Sequence, residues 1–132
     1  MSAVFWLRIG ALLGALGVTL GAFGAHGLKE RLSPYSFDVY QTAVTYQMYH
    51  VPALVAVGLL AAIGRGGLAL NLAGVSFTVG ILIFSGTLYA LSVTDIKWLG
   101  AITPIGGVFL ILGWIALAVA AGSIGRGIAV EV

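Results

Sequence analysis

Three polar residues that could bind a ligand or carry a proton lie close together in an otherwise apolar segment. Tyr46 and Gln47 precede His50 by four and three residues, so in a helix both side chains can reach the imidazole. An ionisable residue inside an apolar span is a functional candidate. A histidine that bonds to a neighbouring helix explains the same pattern, and the sequence leaves both interpretations open.

Three more residues complete the predicted polar cluster: His26, Ser85 and Thr103. His26 precedes Gly27, a residue suited to a left-handed helix C-cap, and an imidazole stabilises the carbonyl end of a helix, so capping is the favoured role for it. Two histidines do not complete a zinc site, and bis-histidine haem binding would require both imidazoles to point into the core. We therefore expect no metal and no cofactor.

Residues for enzyme chemistry are scarce. The sequence has no cysteine, no carboxylate within an apolar span, no Gly-x-Ser-x-Gly motif and no phosphate-binding loop with a lysine. Asp38 and Asp95 lie at the ends of apolar spans, and nothing pairs them. The net charge of +2 is spread along the chain and forms no patch for nucleic acid. We expect a non-catalytic protein with no nucleic-acid partner.

The composition excludes a water-soluble fold. Of the 132 residues 61% are hydrophobic and only 8% are charged, whereas about a quarter are charged in globular proteins. Most of the surface must therefore contact lipid. Division of the chain at its charged residues leaves four stretches long enough to cross a bilayer, at 3–25, 42–63, 68–93 and 98–122. The sequence predicts one all-α integral membrane domain over residues 1–132.

Small and hydroxyl residues repeat every seven positions in three of the spans. They are Gly10, Gly14, Gly17, Gly21 and Gly24 in the first, Asn71, Thr78, Ser85 and Ser92 in the third, and Gly106, Gly113 and Ala120 in the fourth. Such residues let helices approach closely in lipid. A seven-residue period predicts a left-handed four-helix bundle. Right-handed Gly-x-x-x-Gly packing of the first span is the alternative.

The second helix is expected to begin outside the bilayer. Ser33 can cap it, Pro34 can occupy its first position, and the stretch from Ser33 to Tyr49 is amphipathic, which predicts an interfacial extension before the span. Pro52 removes a backbone donor and should kink the helix just past His50.

Thr103 and Pro104 allow two interpretations of the fourth span. The proline either kinks a helix that has already begun or occupies the first position of a helix capped by Thr103. In the second case residues 96–102 form a separate apolar segment at the membrane interface.

Four spans place both termini on one side of the membrane. Three basic residues lie on each side, namely Arg8, Arg65 and Arg126 with the termini and Lys29, Arg31 and Lys97 opposite. The positive-inside rule is therefore tied, and only the amino terminus favours cytoplasmic termini. Interfacial aromatic residues are expected at Phe5 and Trp6 on one side and at Tyr35, Phe37, Tyr40, Tyr89 and Trp98 on the other.

Four blocks of the sequence resemble the YgdD/YwdK family of small membrane proteins. They are Gly21-Ala22-Phe23-Gly24-Ala25-His26, Tyr46-Gln47 with His50, Phe84-Ser85-Gly86-Thr87-Leu88-Tyr89, and Thr103-Pro104-Ile105-Gly106-Gly107 with Leu112-Gly113-Trp114. The resemblance implies a four-span protein of the bacterial inner membrane or the plasma membrane. It implies no activity.

The leading functional hypothesis places the polar cluster between helices, where it binds a small polar molecule or a lipid or assists another membrane complex. The alternative is a small oligomeric permease or channel for an ion or small solute. A channel needs a polar path through both membrane halves, yet Val57, Leu60 and Ala61 make the half toward the termini apolar. The binding role is favoured, and assembly as a homo-oligomer or with another membrane protein stays open.

Overall fold

The computed structural model contains four long helices joined by short connections. Helix α1 spans Ala3–Phe23, α2 Pro34–Ala62, α3 Leu68–Thr94 and α4 Leu99–Ala129. The structure describes residues 1–65 and 67–129, with the side chains of α4 described as far as Gly122; the side chain of Arg126, one of the basic residues counted for orientation, lies outside this part. All four helices are long and apolar enough to cross a membrane, which confirms the predicted all-helical, four-span fold.

The amino-terminal helix ends in an unusual way. It begins at Ser2, whose Oγ accepts a hydrogen bond from the Phe5 N–H at 3.2 Å. After Phe23 it continues into a π-helical turn over Gly24–Leu28, in which the Lys29 N–H donates to the Gly24 carbonyl at 3.1 Å. The prediction of a left-handed cap at Gly27 is therefore wrong. The wider turn already provides a donor for the Gly24 carbonyl, so no cap is needed to satisfy it.

Helix α2 begins as its sequence predicts. The Ser33 Oγ accepts from the Ser36 N–H at 3.1 Å, and Pro34 occupies the first turn, where its missing N–H costs nothing. Tyr35 and Asp38 are exposed in the early turns, and the helix continues through Pro52 to Ala62. One continuous helix therefore carries both the interfacial segment and the span.

Helix α4 begins at Leu99, so the interpretation that starts it at Thr103 is wrong. The Thr103 Oγ1 donates back to the Leu99 carbonyl at 3.2 Å, and Pro104 lies within the helix. The N–H groups of Leu99 and Gly100 donate to the carbonyls of residues 96 and 97, both at 3.1 Å. These bonds join residues 96–98 to the start of the helix, so no separate apolar segment forms.

Consecutive helices pack on one another, which places α2 and α3 in the centre and α1 and α4 outside. The main apolar core consists of Trp6, Ala53, Leu54, Val57, Leu70, Ala73, Phe77, Ile81, Leu110 and Ala120. Trp6 was expected at the membrane interface, but it is buried, and its Nε1–H donates to Asn71 Oδ1 at 3.1 Å. Gly74 leaves space for the indole between helices.

The predicted packing glycines lie where helices approach each other closely. In α1 and the π-helical turn that follows it, the predicted glycines face α2 side chains: Gly10 faces Val55, Gly14 Val51, Gly17 Met48 with Gln47, Gly21 Val44 and Gly24 Tyr40. In α4, a Cβ at Gly106 would overlap the backbone of Phe84, and one at Gly113 would lie 2.6 Å from the Phe77 ring. These glycines therefore set the separation of α1 from α2 and of α3 from α4.

Candidate functional site

Gln47 connects three helices. Its Nε2 donates to the Leu13 carbonyl of α1 at 2.7 Å, and its Oε1 accepts from the Tyr89 hydroxyl of α3 at 2.9 Å. The side chain is only 2% exposed. A Cβ at Gly17 would lie 3.2 Å from Gln47 Nε2, so the glycine lets the amide reach the α1 backbone. From the sequence this amide was expected to contact His50. In the structure it bonds instead to Leu13 of α1 and Tyr89 of α3.

Tyr89 is the residue that the sequence reasoning missed, because it was assigned to the membrane interface. It lies four residues after Ser85 and three before Ser92, on the face of α3 that carries the hydroxyl row. That spacing was the available signal. Tyr89 packs edge-on against Tyr40, with ring centroids 5.1 Å apart, and the Tyr40 hydroxyl donates to the Leu20 carbonyl at 2.7 Å. Tyr40, also expected at the interface, is buried.

A groove of about 90 Å³ lies between α1 and α3, above the Gln47 side chain. It is lined by Leu13, Leu16, Leu20, Gln47, Ile81, Leu82, Ser85, Gly86 and Tyr89. Gly86 helps to open it, because a Cβ there would meet nothing within 4 Å. We call this feature the Gln47 groove. It is the place where the predicted polar cluster comes nearest to forming a binding site.

Ser85 and Thr103 bond between helices. The Ser85 Oγ donates to the Ala43 carbonyl of α2 at 2.8 Å, and the hydroxyls of Thr87 and Thr103 lie 2.8 Å apart between α3 and α4. Both residues are buried. Because both hydroxyls bond to groups on a neighbouring helix, their contribution is to hold helices together.

His50 lies among aromatic rings and away from Gln47. Its Nδ1–H donates to the Tyr46 carbonyl at 2.6 Å, one turn earlier on the same helix. The Tyr46 ring stacks on the imidazole with centroids 6.3 Å apart, and the rings of Phe77 and Trp114 lie at 5.9 and 6.0 Å. The hypothesis of a bond from this histidine to a neighbouring helix is wrong, because its own helix supplies the acceptor.

His26 is separate from the other predicted residues. It is exposed in the π-helical turn, and its Nδ1–H donates to the Ala22 carbonyl at 2.9 Å. His50 is buried but His26 is exposed, so the two imidazoles do not both point into the core, as bis-histidine haem binding would require. Within the described residues, no three His, Asp or Glu side chains are grouped as metal ligands. The six predicted cluster residues thus occupy several places, and the Gln47 groove unites only Gln47 and Ser85.

Comparison with known proteins places the chain in a family. Residues 20–107 match the family model "Protein of unknown function (DUF423)". The UPF0382 membrane protein YwdK of Bacillus subtilis is 48% identical over 116 residues, which cover 88% of this chain and 94% of the relative. The UPF0382 membrane protein of Staphylococcus epidermidis is 46% identical over 115 residues, covering 87% and 93%.

No solved structure matches the chain. The relative YwdK confirms the resemblance inferred from the four sequence blocks. Together with the four apolar helices, the relatives make this a multi-pass membrane protein. The chain belongs to the DUF423 family and is similar over most of its length to UPF0382 membrane proteins.

Proposed function

We propose that this protein is a non-catalytic lipid-binding protein, in which the Gln47 groove holds a hydrocarbon chain of a lipid. The observation that carries the proposal is the groove itself, a recess of about 90 Å³ between α1 and α3. Its rim includes Leu16 and Leu82, which are exposed where acyl chains would surround the protein. A lipid chain can therefore enter the groove from the bilayer.

The state of the polar atoms favours a hydrocarbon over a polar ligand. Gln47 has its Nε2 bonded to Leu13 and its Oε1 bonded to Tyr89, while the Ser85 hydroxyl donates to Ala43. Because these groups already have partners inside the protein, a polar ligand gains less from them than it would from unpaired buried donors and acceptors. An acyl chain needs no partner and adds dispersion contacts to the leucines.

The channel alternative has less support. Between α2 and α3, the part of the core nearer the termini contains Leu54, Val57 and Phe77, all fully buried. These closely packed apolar side chains provide no polar groups along which an ion could pass. A charge inside a membrane is costly in free energy without such groups. A hydrated path would require these helices to separate.

The groove can be filled without disturbing helix packing. Gly86→Leu places a side chain where a Cβ meets nothing within 4 Å, and Gly122→Leu makes the same chemical change at another open position, in α4. The measurement is native mass spectrometry of lipid retained by the purified protein in mild detergent. We expect Gly86→Leu to weaken lipid binding in the groove roughly tenfold, about 1.4 kcal/mol, seen as fewer lipids retained per chain, and Gly122→Leu to leave retention unchanged.

Equal retention by wild type and Gly86→Leu, with both proteins folded by circular dichroism, would refute groove binding. A spin-labelled phospholipid provides a second readout, because an acyl chain held in the groove moves more slowly than bulk lipid. Loss of that immobilised component in Gly86→Leu alone supports the proposal.

We also propose that both termini face the cytoplasm in an inner or plasma membrane, and that the protein acts without a cofactor. The helix order supports termini on one side, since four spans return the chain to its starting side. Reporter fusions that are active on one side of the membrane test this at each terminus. Cross-linking in intact membranes tests assembly as a homo-oligomer or with another membrane protein.

A further inference from the structure

A second cavity, of about 360 Å³, lies at the opposite end of the bundle from the termini. It is lined by Tyr35, Leu91, Asp95, Lys97 and Gly100. Asp95 follows the last residue of α3 and Lys97 precedes the first turn of α4, so the cavity lies where two membrane spans end. Tyr35 and Trp98 are exposed at this level, which is typical of the headgroup region of a bilayer.

Two opposite charges line this cavity without neutralising each other. In the part of the chain that the structure describes, neither Asp95 nor Lys97 forms an ion pair or a side-chain hydrogen bond. A carboxylate and an ammonium in one cavity offer one site for a cation and one for an anion. A ligand that carries both charges can use the two sites together.

The fold does not require either charge. Asp95 has φ 56° as the C-cap of α3, and its N–H donates to Leu91 at 2.9 Å, but an asparagine adopts this left-handed conformation as readily. A carboxylate at a helix C-terminus and a lysine before a helix N-terminus both oppose the helix dipoles. Neither charge is therefore favoured by the helix end adjacent to it, and a ligand with charges of opposite sign would compensate both.

We propose that this cavity binds a zwitterionic headgroup with an ammonium and a phosphate, as in phosphatidylethanolamine. The ligand ammonium lies at Asp95 and the carboxyl end of α3, where Tyr35 adds an aromatic ring. The ligand phosphate lies at Lys97 and the amino end of α4. The cavity volume is at the lower end of the range for small-molecule sites, which suits a compact headgroup.

The test is native mass spectrometry of the full chain from micelles with equimolar phosphatidylethanolamine and phosphatidylglycerol. We expect wild type to retain phosphatidylethanolamine in preference, and Asp95→Asn and Lys97→Gln each to reduce its retention roughly tenfold, the loss of one charge-assisted contact. Glu30→Gln and Lys29→Gln are matched controls, because these exposed charges lie at the same end outside the cavity.

A thermal melt without added lipid separates ligand binding from a structural role. Asp95→Asn and Lys97→Gln should leave the melting temperature unchanged or raise it, because each removes a charge that opposes a helix dipole. A lowered melting temperature in both variants would assign the charges to the fold and overturn the proposal. So would equal retention of the two lipids by wild type, or equal loss in the control variants.

An excess of water-soluble glycerophosphoethanolamine distinguishes two sources of the same chemistry. Displacement of the lipid shows that the headgroup alone suffices, and no displacement shows that the acyl chains are required as well; both support a zwitterion site. The proposal is independent of the Gln47 groove. Gly86→Leu should leave the preference for phosphatidylethanolamine intact, so failure of one proposal can be told from failure of the other.

Discussion

The Tyr89 hydroxyl donates to Gln47 Oε1 at 2.9 Å, joining the two central helices of the protein inside the membrane span. The same amide donates to Leu13 of α1, so one side chain connects three helices. In lipid the hydrophobic effect does not draw helices together, and close packing and interhelical hydrogen bonds take its place. The bonds of Gln47 are therefore central to helix association, and they also form the floor of the Gln47 groove.

Removal of this bond should destabilise the protein. We expect Gln47→Leu to cost about 1–2 kcal/mol and Tyr89→Phe about 1 kcal/mol, because each leaves buried polar atoms without partners. If the two residues act through their bond, the double variant should cost less than the sum of the single variants. The measurement is denaturant unfolding in detergent, with the exposed Tyr49→Phe as control. Strict additivity would show that the bond contributes no coupling.

His50→Leu should lower the free energy of unfolding less than Gln47→Leu does. The imidazole bonds only to its own helix, and a leucine retains apolar contact with Phe77 and Trp114. We expect a loss below about 1 kcal/mol in the same unfolding measurement. A loss larger than that of Gln47→Leu would mean that this imidazole holds helices together by contacts beyond its present ones.

Two glycine-to-alanine substitutions should change the stability of the protein in opposite directions. Gly106→Ala places a Cβ against the Phe84 backbone, which cannot move aside as a flexible side chain would, and we expect a loss of about 2 kcal/mol or more. Gly86→Ala meets nothing, and we expect a gain of up to about 1 kcal/mol from helix propensity. Equal melting temperatures for the two variants would contradict this account of α3–α4 packing.

Trp6→Phe should destabilise the end of the bundle near the termini by about 1 kcal/mol, because it leaves Asn71 Oδ1 without its donor. Trp98→Phe is the matched control, since Trp98 is exposed. Tryptophan fluorescence and thermal melting report on both variants. A larger effect at Trp98 than at Trp6 would show that interfacial anchoring matters more than the buried bond.

Some predictions that depended on local sequence signals are confirmed by the structure. The Ser33 cap and Pro34 at the start of α2 follow from backbone geometry within a few residues. Where two local interpretations competed, as at Pro104, the bonds of neighbouring residues decided between them. The Gly27 cap failed for a similar reason, because the π-helical turn offered the backbone another way to satisfy its carbonyls.

The direction of each polar side chain could not be predicted from spacing. On α2, Gln47 and His50 are three residues apart, yet one bonds towards α1 and α3 while the other lies against the rings of Phe77 and Trp114. Three residues along a helix correspond to a rotation of about 300°, so two neighbours on one side can still face different partners. Which partner each meets depends on where α1, α3 and α4 lie.

By itself the sequence determined that this protein is helical and crosses the membrane four times, because composition and the length of apolar runs decide how a chain partitions into lipid. Only the tertiary structure decided which polar groups meet. Tyr89 became the partner of Gln47, and Asp95 and Lys97 came to line one cavity, because helix packing brings together residues that are distant along the chain.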